Sequence, residues 1–461
     1  MVLYGPSQVA QVDEAIEPAL EHTELRVLSR PEHPVSRSNI SANALKVMYR
    51  LRKAGYRACL VGGGVRDLML GREPKDFDVA TDAHPDEVRT LFRNCRLIGR
   101  RFRLAHVHFG PEIIEVATFR GLHDSESDDE QPQSLLDERG RIVRDNVYGT
   151  IEQDALRRDF TINALYYDID NFSVIDYVGG IEDLRAGVIR IIGDPETRLR
   201  EDPVRMLRAV RFATKLGLRL HPDTEAPIRA LGYLLRDMPA ARLFDEVLKL
   251  FLAGHGVQTF EGLRHYGLFG ELFPLTEDVL AREEAGFPHV FLIRALENTD
   301  QRVAEGKPVT PAFLIAALLW EPLREQLQRF QDAGEPELMA MQLAADEVLR
   351  MQADRTALPR RFSTPAREIW SLQRRLLRRT GRRPHKLLEH PRFRAGYDFL
   401  LLRGAAGEDV VELGEWWTQF QESDDSDRDK LMSDSSVGSR PRSNRRRRSR
   451  RRRSAAGTPS A

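Results

Sequence analysis

Cysteine is almost absent. Cys59 and Cys95 are the only two in a chain of 461 residues, too few for a disulfide framework, and both lie in apolar segments where a small core residue would serve. A reducing, cytoplasmic setting is expected. Long hydrophobic runs are absent too: no stretch of about 18 apolar residues occurs, so no spanning helix is expected. The opening MVLYGPSQVAQVDEA lacks a basic segment followed by an apolar one, and a secretory leader is not expected. No G-x-S-x-G occurs and no cysteine has a plausible base near it, which leaves nucleophilic serine or cysteine catalysis without support. His106 and His108 alternate along an expected strand but have no third ligand at zinc spacing.

Acid is missing from the last residues. From 440 to 461 there are ten arginines and no Asp or Glu, so the zero net charge of the whole chain hides 60 basic against 70 acidic side chains in 1–439. An arginine cluster of that density on a mildly acidic body is expected to bind phosphate backbone. Anionic lipid also presents phosphates, so peripheral membrane contact through the same tail is the alternative.

What is present centres on LVGGGVRDLMLGREPKDFDVAT at 60–81. An apolar strand runs into three glycines, and helical spacing resumes from Val65. An anion at such a turn would meet unpaired backbone N–H groups, the positive end of a helix dipole and the Arg66 guanidinium, so a phosphate suits it. Asp76 and Asp78 follow, expected to face one way on a strand with Phe77 in the core. Two adjacent carboxylates repel unless a cation joins them, and Mg²⁺ takes one or two carboxylates plus substrate phosphates. No Gly-Lys-Ser/Thr follows the glycines and their spacing is not G-x-G-x-x-G, which excludes a P-loop and a dinucleotide fingerprint. Together these features point to metal-dependent nucleotidyl transfer.

The fold class expected is α+β. Residues 1–36 are polar and expected to be poorly ordered; 37–195 form a mixed-sheet head; 196–270 a helical neck that binds nucleotide and RNA; 271–420 a helical body that binds RNA; and 421–461 a disordered tail, acidic and then arginine-rich. A helix over 38–54 should bury Ala44, Val47, Met48 and Leu51. Strands are expected at 57–61, 96–98, 104–109, 113–119, 173–178 and 188–192, with another entered by Tyr166 and Tyr167. The acidic stretch 121–141 has no aromatic residue and reads as a surface loop. From Glu196 onward only helical periodicity appears. Asp202 precedes Pro203 as an N-cap precedes N1. Residues 370–394 carry eight arginines and Lys386 against one glutamate, a second basic concentration that solvated helix faces or nucleic-acid contact would explain.

GGGVRD, KDFDVAT, GRRFRLAHV, IIEVATFRG, RRDFTINALYYD and EDPVRMLRAVRFA, in this order, resemble the bacterial poly(A) polymerases of the tRNA nucleotidyltransferase/poly(A) polymerase family, within the polymerase β-like superfamily. The resemblance covers 37 to about 420. It implies a polynucleotide adenylyltransferase that extends RNA 3′ ends from ATP without a template, promoting RNA processing and decay, with two Mg²⁺ ions or Mn²⁺ in their place. It implies that Gly62, Gly63 and Arg66 cradle the triphosphate and that Asp76 and Asp78 hold the ions. Asp159 is favoured over Glu115 as the third carboxylate. Asp202 and Arg205 would pair with the base edge, with Arg158, Asn163 and Arg208 positioning sugar or base. The implied partners are RNA 3′ ends, ATP and the RNA-decay machinery, with 440–453 on RNA. The other readings are a CCA-adding tRNA nucleotidyltransferase and an inactive RNA binder. GRRFRLAHV and the arginine tail favour the poly(A) branch, and the intact carboxylates argue against inactivity.

Overall fold

The computed structural model describes residues 25–99, 103–121, 134–136, 142–145, 147–282 and 290–438. The expected tail at 440–453, residues 100–102 of the GRRFRLAHV motif and most of the acidic stretch lie outside them. Two compact units appear, Met1–Ser363 and Thr364–Ala461, so the boundary falls inside the segment expected to be one helical body.

The head is a mixed sheet of eight strands: β1 (Arg26–Leu28), β2 (Ala58–Val61), β3 (Asp78–Thr81), β4 (Cys95–Ile98), β5 (Leu104–Phe109), β6 (Glu112–Thr118), β7 (Leu165–Asp168) and β8 (Val174–Asp176). Their spatial order is β1-β8-β7-β2-β3-β6-β5-β4. Neighbours are antiparallel except β3 and β6, which run parallel. Directly paired residues share a face, and one row crosses all eight strands: Arg96, His106, Glu115, Asp78, Val61, Tyr166, Ile175 and Val27. Its Val61, Tyr166 and Ile175 belong to a buried core completed by Ile151, Ala155 and Leu156. A single face of the sheet is thus apolar at its centre and charged toward β4.

Local signals explain the helices around it. In α1 (Ala42–Lys53) the Ser41 hydroxyl accepts from the Asn43 and Ala44 N–H groups, capping donors that the first turn leaves unpaired. Ala44, Val47, Met48 and Leu51 are its buried face, as the spacing requires. The glycines open α2 (Gly63–Met69), and Pro85 opens α3 (Pro85–Leu91). A capping box between Thr150 and Gln153 starts α4 (Ile151–Leu156). A short 3₁₀ turn, Thr161–Asn163, precedes β7, and α5 (Gly180–Ala186), α6 (Pro195–Glu201) and α7 (Val204–Leu216) follow. Gly180 meets the 3₁₀ turn so closely that a Cβ there would clash with the Thr161 carbonyl oxygen. Beyond α7 the described residues of the first unit form helices and their connections, apart from the two-residue strand Arg219–Leu220.

Several expectations differ. The first 36 residues contain β1, which forms the sheet edge against β8; three residues give no readable periodicity. The strand expected at 188–192 is only Val188–Ile189, and it pairs with Arg219–Leu220 outside the main sheet. Within the acidic stretch, Ser134–Leu136 pairs with Ile142–Asp145. In the second unit, Asp425–Gly438 is helical where a disordered tail was expected, with Leu431 and Met432 packed against the core cluster that contains Trp416, Trp417 and Phe420.

Candidate active site

The glycine turn and the aspartates meet because β2 and β3 pair. Val61, the last residue of β2, stands opposite Asp78, the first of β3. Gly62 then turns the chain with φ 72° and ψ −130°, a conformation open to glycine and costing other residues about 1–3 kcal/mol. A Cβ at Gly64 would lie 3.5 Å from the Asp76 carbonyl oxygen. A Cβ at Gly62 would stand 3.5 Å from Arg158 Nη1, and one at Gly63 3.5 Å from Arg66 Nη2. Bare backbone between two guanidiniums is the form of an anion seat.

Asp76 is exposed and precedes the strand, so the two aspartates do not alternate along it, and Phe77 is half-buried rather than core. Glu115 supplies what register alone could reveal: it pairs directly with Asp78 across the parallel β3–β6 contact. His106, next in the row, places Nε2 3.3 Å from Glu115 Oε2. Burial first, then the neighbouring Glu115 and Asp76 charges, push the Asp78 carboxyl up to about 6, against the pull of Arg158 and His106. Net negative charge is therefore uncompensated here, which suits a divalent cation. Among the described residues no group of three His, Cys, Asp or Glu side chains is drawn together closely enough to hold one by themselves, and substrate phosphates commonly complete such a shell.

Asp159 lies elsewhere in the network. Its Oδ2 accepts from Arg208 Nε at 2.8 Å and Nη2 at 2.5 Å, and its Oδ1 from the Phe160 N–H and from Asn163 Nδ2 at 3.1 Å. Burial works to raise its pKa, but Arg208, Asn163 and the Phe160 amide hold the carboxyl down at about 2. Asn163 Oδ1 in turn accepts from Arg66 Nη1 at 2.6 Å, and Arg66 Nε and Nη2 donate to Asp67 at 2.9 and 2.7 Å. A continuous chain of charge-assisted bonds thus runs from α2 through the 3₁₀ turn to α7. Beneath it the Phe212 ring carries Arg66, Arg208 and Arg211 at 5.2, 5.3 and 4.7 Å, contacts favourable to a cation over a ring face. Arg66, expected to reach for phosphate, is only 2% exposed and committed to this brace.

Arg158 is braced as well, by Asp154 at 2.9 Å and the Tyr166 hydroxyl at 3.0 Å, with its guanidinium over the Tyr166 ring. Two residues that sequence reasoning missed hold the neighbouring helix ends. Arg198 Nη2 donates to the Arg157 and Arg158 carbonyls, both at 2.9 Å, capping the end of α4; burial, and then repulsion from Arg205, lower its pKa to about 10. Arg242 Nη2 donates to Asp202 Oδ2 at 2.7 Å. Asp202 is the C-cap of α6, and α7 takes Pro203 rather than Asp202 as its N-cap, one residue later than the capping expectation. Arg205 is buried, with Nη1 donating to the Arg198 carbonyl at 2.6 Å and to Glu201 at 3.1 Å. Both residues expected to read a base edge are therefore engaged within the protein.

Three sequence profiles match the chain. That described as Poly A polymerase head domain matches residues 58–190, that of the probable RNA and SrmB-binding site of polymerase A matches 217–280, and that of the polymerase A arginine-rich C-terminus matches 333–454. The class is a nucleotidyltransferase. A poly(A) polymerase I of Salmonella typhi is 51% identical over 432 residues, 93% of each chain. A CCA-adding enzyme of Lactobacillus helveticus is 36% identical over 223 residues, 48% of this chain and 53% of its own. Among solved structures, the Bacillus stearothermophilus CCA-adding enzyme in complex with CTP is 27% identical with a TM-score of 0.51, covering 82% of this chain and 80% of that one. The chain belongs to the poly(A) polymerase I family: it is a polynucleotide adenylyltransferase, adding AMP from ATP to RNA 3′ ends without a nucleic-acid template. Enzymes of this kind use divalent metal ions. No helix among the described residues is long and apolar enough to cross a membrane.

Proposed function

We propose that Asp76, Asp78 and Glu115 form the cation-binding edge of the site, that Gly62, Gly63 and Arg158 seat the ATP phosphates, and that Asp159 is a positioning residue. The observation that carries this reading is the direct pairing of Glu115 with Asp78, set against the full engagement of Asp159 by Arg208, Asn163 and the Phe160 amide. In the reaction the RNA 3′-oxygen bonds to the α-phosphorus of ATP while the α–β anhydride bond breaks, releasing pyrophosphate. Bound at the carboxylates, Mg²⁺ or Mn²⁺ supplies polarisation of the attacking hydroxyl and neutralisation of the leaving phosphates. The glycine turn lets the phosphates approach backbone N–H groups, and Arg158, fixed by Asp154 and Tyr166, adds positive charge without reorganising. The chain of bonds from Asp67 to Arg208 keeps α7 registered against the head. Asp202 at the junction of α6 and α7, and Arg205 on α7, contact the nucleotide base on exchanging their present partners, Arg208 lies beside the sugar while keeping Asp159, and the arginine-rich tail holds RNA.

Manganese binding separates the two candidates for third carboxylate. Glu115→Gln is expected to weaken Mn²⁺ binding about tenfold by equilibrium dialysis, the scale of losing a supporting ligand group, whereas Asp159→Asn leaves it unchanged. The reverse pattern would return the third ligand to Asp159.

A further inference from the structure

The basic stretch at 370–394 has no part in the site above, yet its cations converge. Helix α8 (Arg360–Leu376) ends on Arg374 and Arg375, Arg378 follows, and the chain reverses through Gly381 at φ 67°. Helix α9 (Arg383–Leu388) then brings Arg383 and Lys386 back. These five cations and Leu387 line a cavity of about 220 Å³, with no carboxylate in its wall.

Two acids of neighbouring helices are spent on other cations. Arg379 pairs with Glu412 at 3.0 Å, and Arg392 with Glu368 at 3.4 Å. Arg375, Arg378, Arg383 and Lys386 make no ion pair among the described residues. Both walls are fixed from behind: Leu376 and Leu387 join the core with Trp417 and Phe420, and the Trp417 indole donates to the Leu376 carbonyl at 2.9 Å. The cations are thus gathered on a rigid frame against their own repulsion, which an anion would relieve.

We propose that this cavity seats a backbone phosphate of the RNA being extended; the partner class rests on the family activity, the site on its own geometry. Arginine and lysine present donors only, so the guest must be rich in acceptors and negative. No aromatic side chain lines the cavity to stack a base, and it is smaller than the roughly 300 Å³ at which small-molecule pockets begin. A phosphodiester satisfies both limits, and its recognition is independent of base sequence. A membrane is disfavoured, since Leu377 is the one strongly exposed large apolar side chain beside the cavity and interfacial binding needs an apolar face.

The test is Arg375→Gln/Arg378→Gln/Lys386→Gln in the full chain, with anisotropy of a labelled, unstructured RNA read across a salt series. RNA affinity is expected to fall about tenfold near 0.1 M salt, and the log–log salt slope to become shallower by about 2, three contacts at roughly 0.7 each for a single strand. The rate of AMP addition at saturating RNA should be unchanged, and the all-lysine variant of the same arginines should keep the wild-type slope. An unchanged slope, with or without weaker binding, overturns the proposal, as does loss of binding to phosphatidylserine vesicles with RNA binding intact. Failure of the wild-type chain to add AMP would instead strike the functional assignment.

Discussion

Asp78→Asn is expected to lower AMP transfer by about a thousandfold, roughly 4 kcal/mol of transition-state stabilisation, while RNA affinity stays within about twofold. Asparagine keeps the shape of aspartate, so the loss isolates the charge. Stability should move the other way. The Asp78 carboxyl is pushed up to about 6 by burial and by Glu115 and Asp76, above the ordinary carboxylate value near 4. An acid raised in this manner favours the folded state only while protonated, and that contribution fades as pH rises through about 6. At pH 7 without divalent ions the charged form therefore costs stability, and its removal should return about 2 kcal/mol, visible as a higher melting temperature. Lost activity with gained stability is the signature of a ligand cluster held together for function. Activity within tenfold of wild type would remove Asp78 from the reaction.

Arg208→Ala is expected to destabilise the first unit by about 3 kcal/mol, because it strands the Asp159 carboxylate in a buried position without its counter-charge. Asp159 has a side chain only 13% exposed, and Arg208 also covers the Phe212 ring. Here the sign is opposite to that at Asp78. The folded carboxyl is held at about 2, so its contribution is complete above the ordinary value near 4 and is lost as pH falls toward 2. The variant should lose that part of the acid dependence between roughly pH 4 and 2. Urea denaturation measures the loss, and adding Asp159→Asn to Arg208→Ala should recover part of it. An unchanged midpoint would mean that the pair contributes nothing to holding α7 against the head.

The glycine turn, the strand that opens at Asp78 and the buried stripe of α1 were legible because each is encoded within a few residues. Side-chain types at fixed spacing suffice for those. Glu115 was not distinguishable from Asp159, since its place depends on β3 lying parallel to β6 with a helix and two strands between them in sequence; register of that kind leaves no local pattern. Arg66 looked like a phosphate ligand because an arginine after glycines is free to be one, but Asp67 and Asn163, the latter 97 residues away, claim it. Arg198 and Arg242 could have been found only by asking which cations serve the carbonyls ending α4 and the Asp202 carboxylate. The helix Asp425–Gly438 was hidden by its acidic composition, and Leu431 and Met432 anchor it.

The most direct measurement supplies the purified chain and Mg²⁺ with ATP and CTP, separately and together, on an unstructured RNA and on a tRNA lacking its terminal CCA. Long extension of the unstructured RNA with ATP alone is the expected result. Addition that stops at CCA on the tRNA, or no incorporation while RNA remains bound, would contradict it.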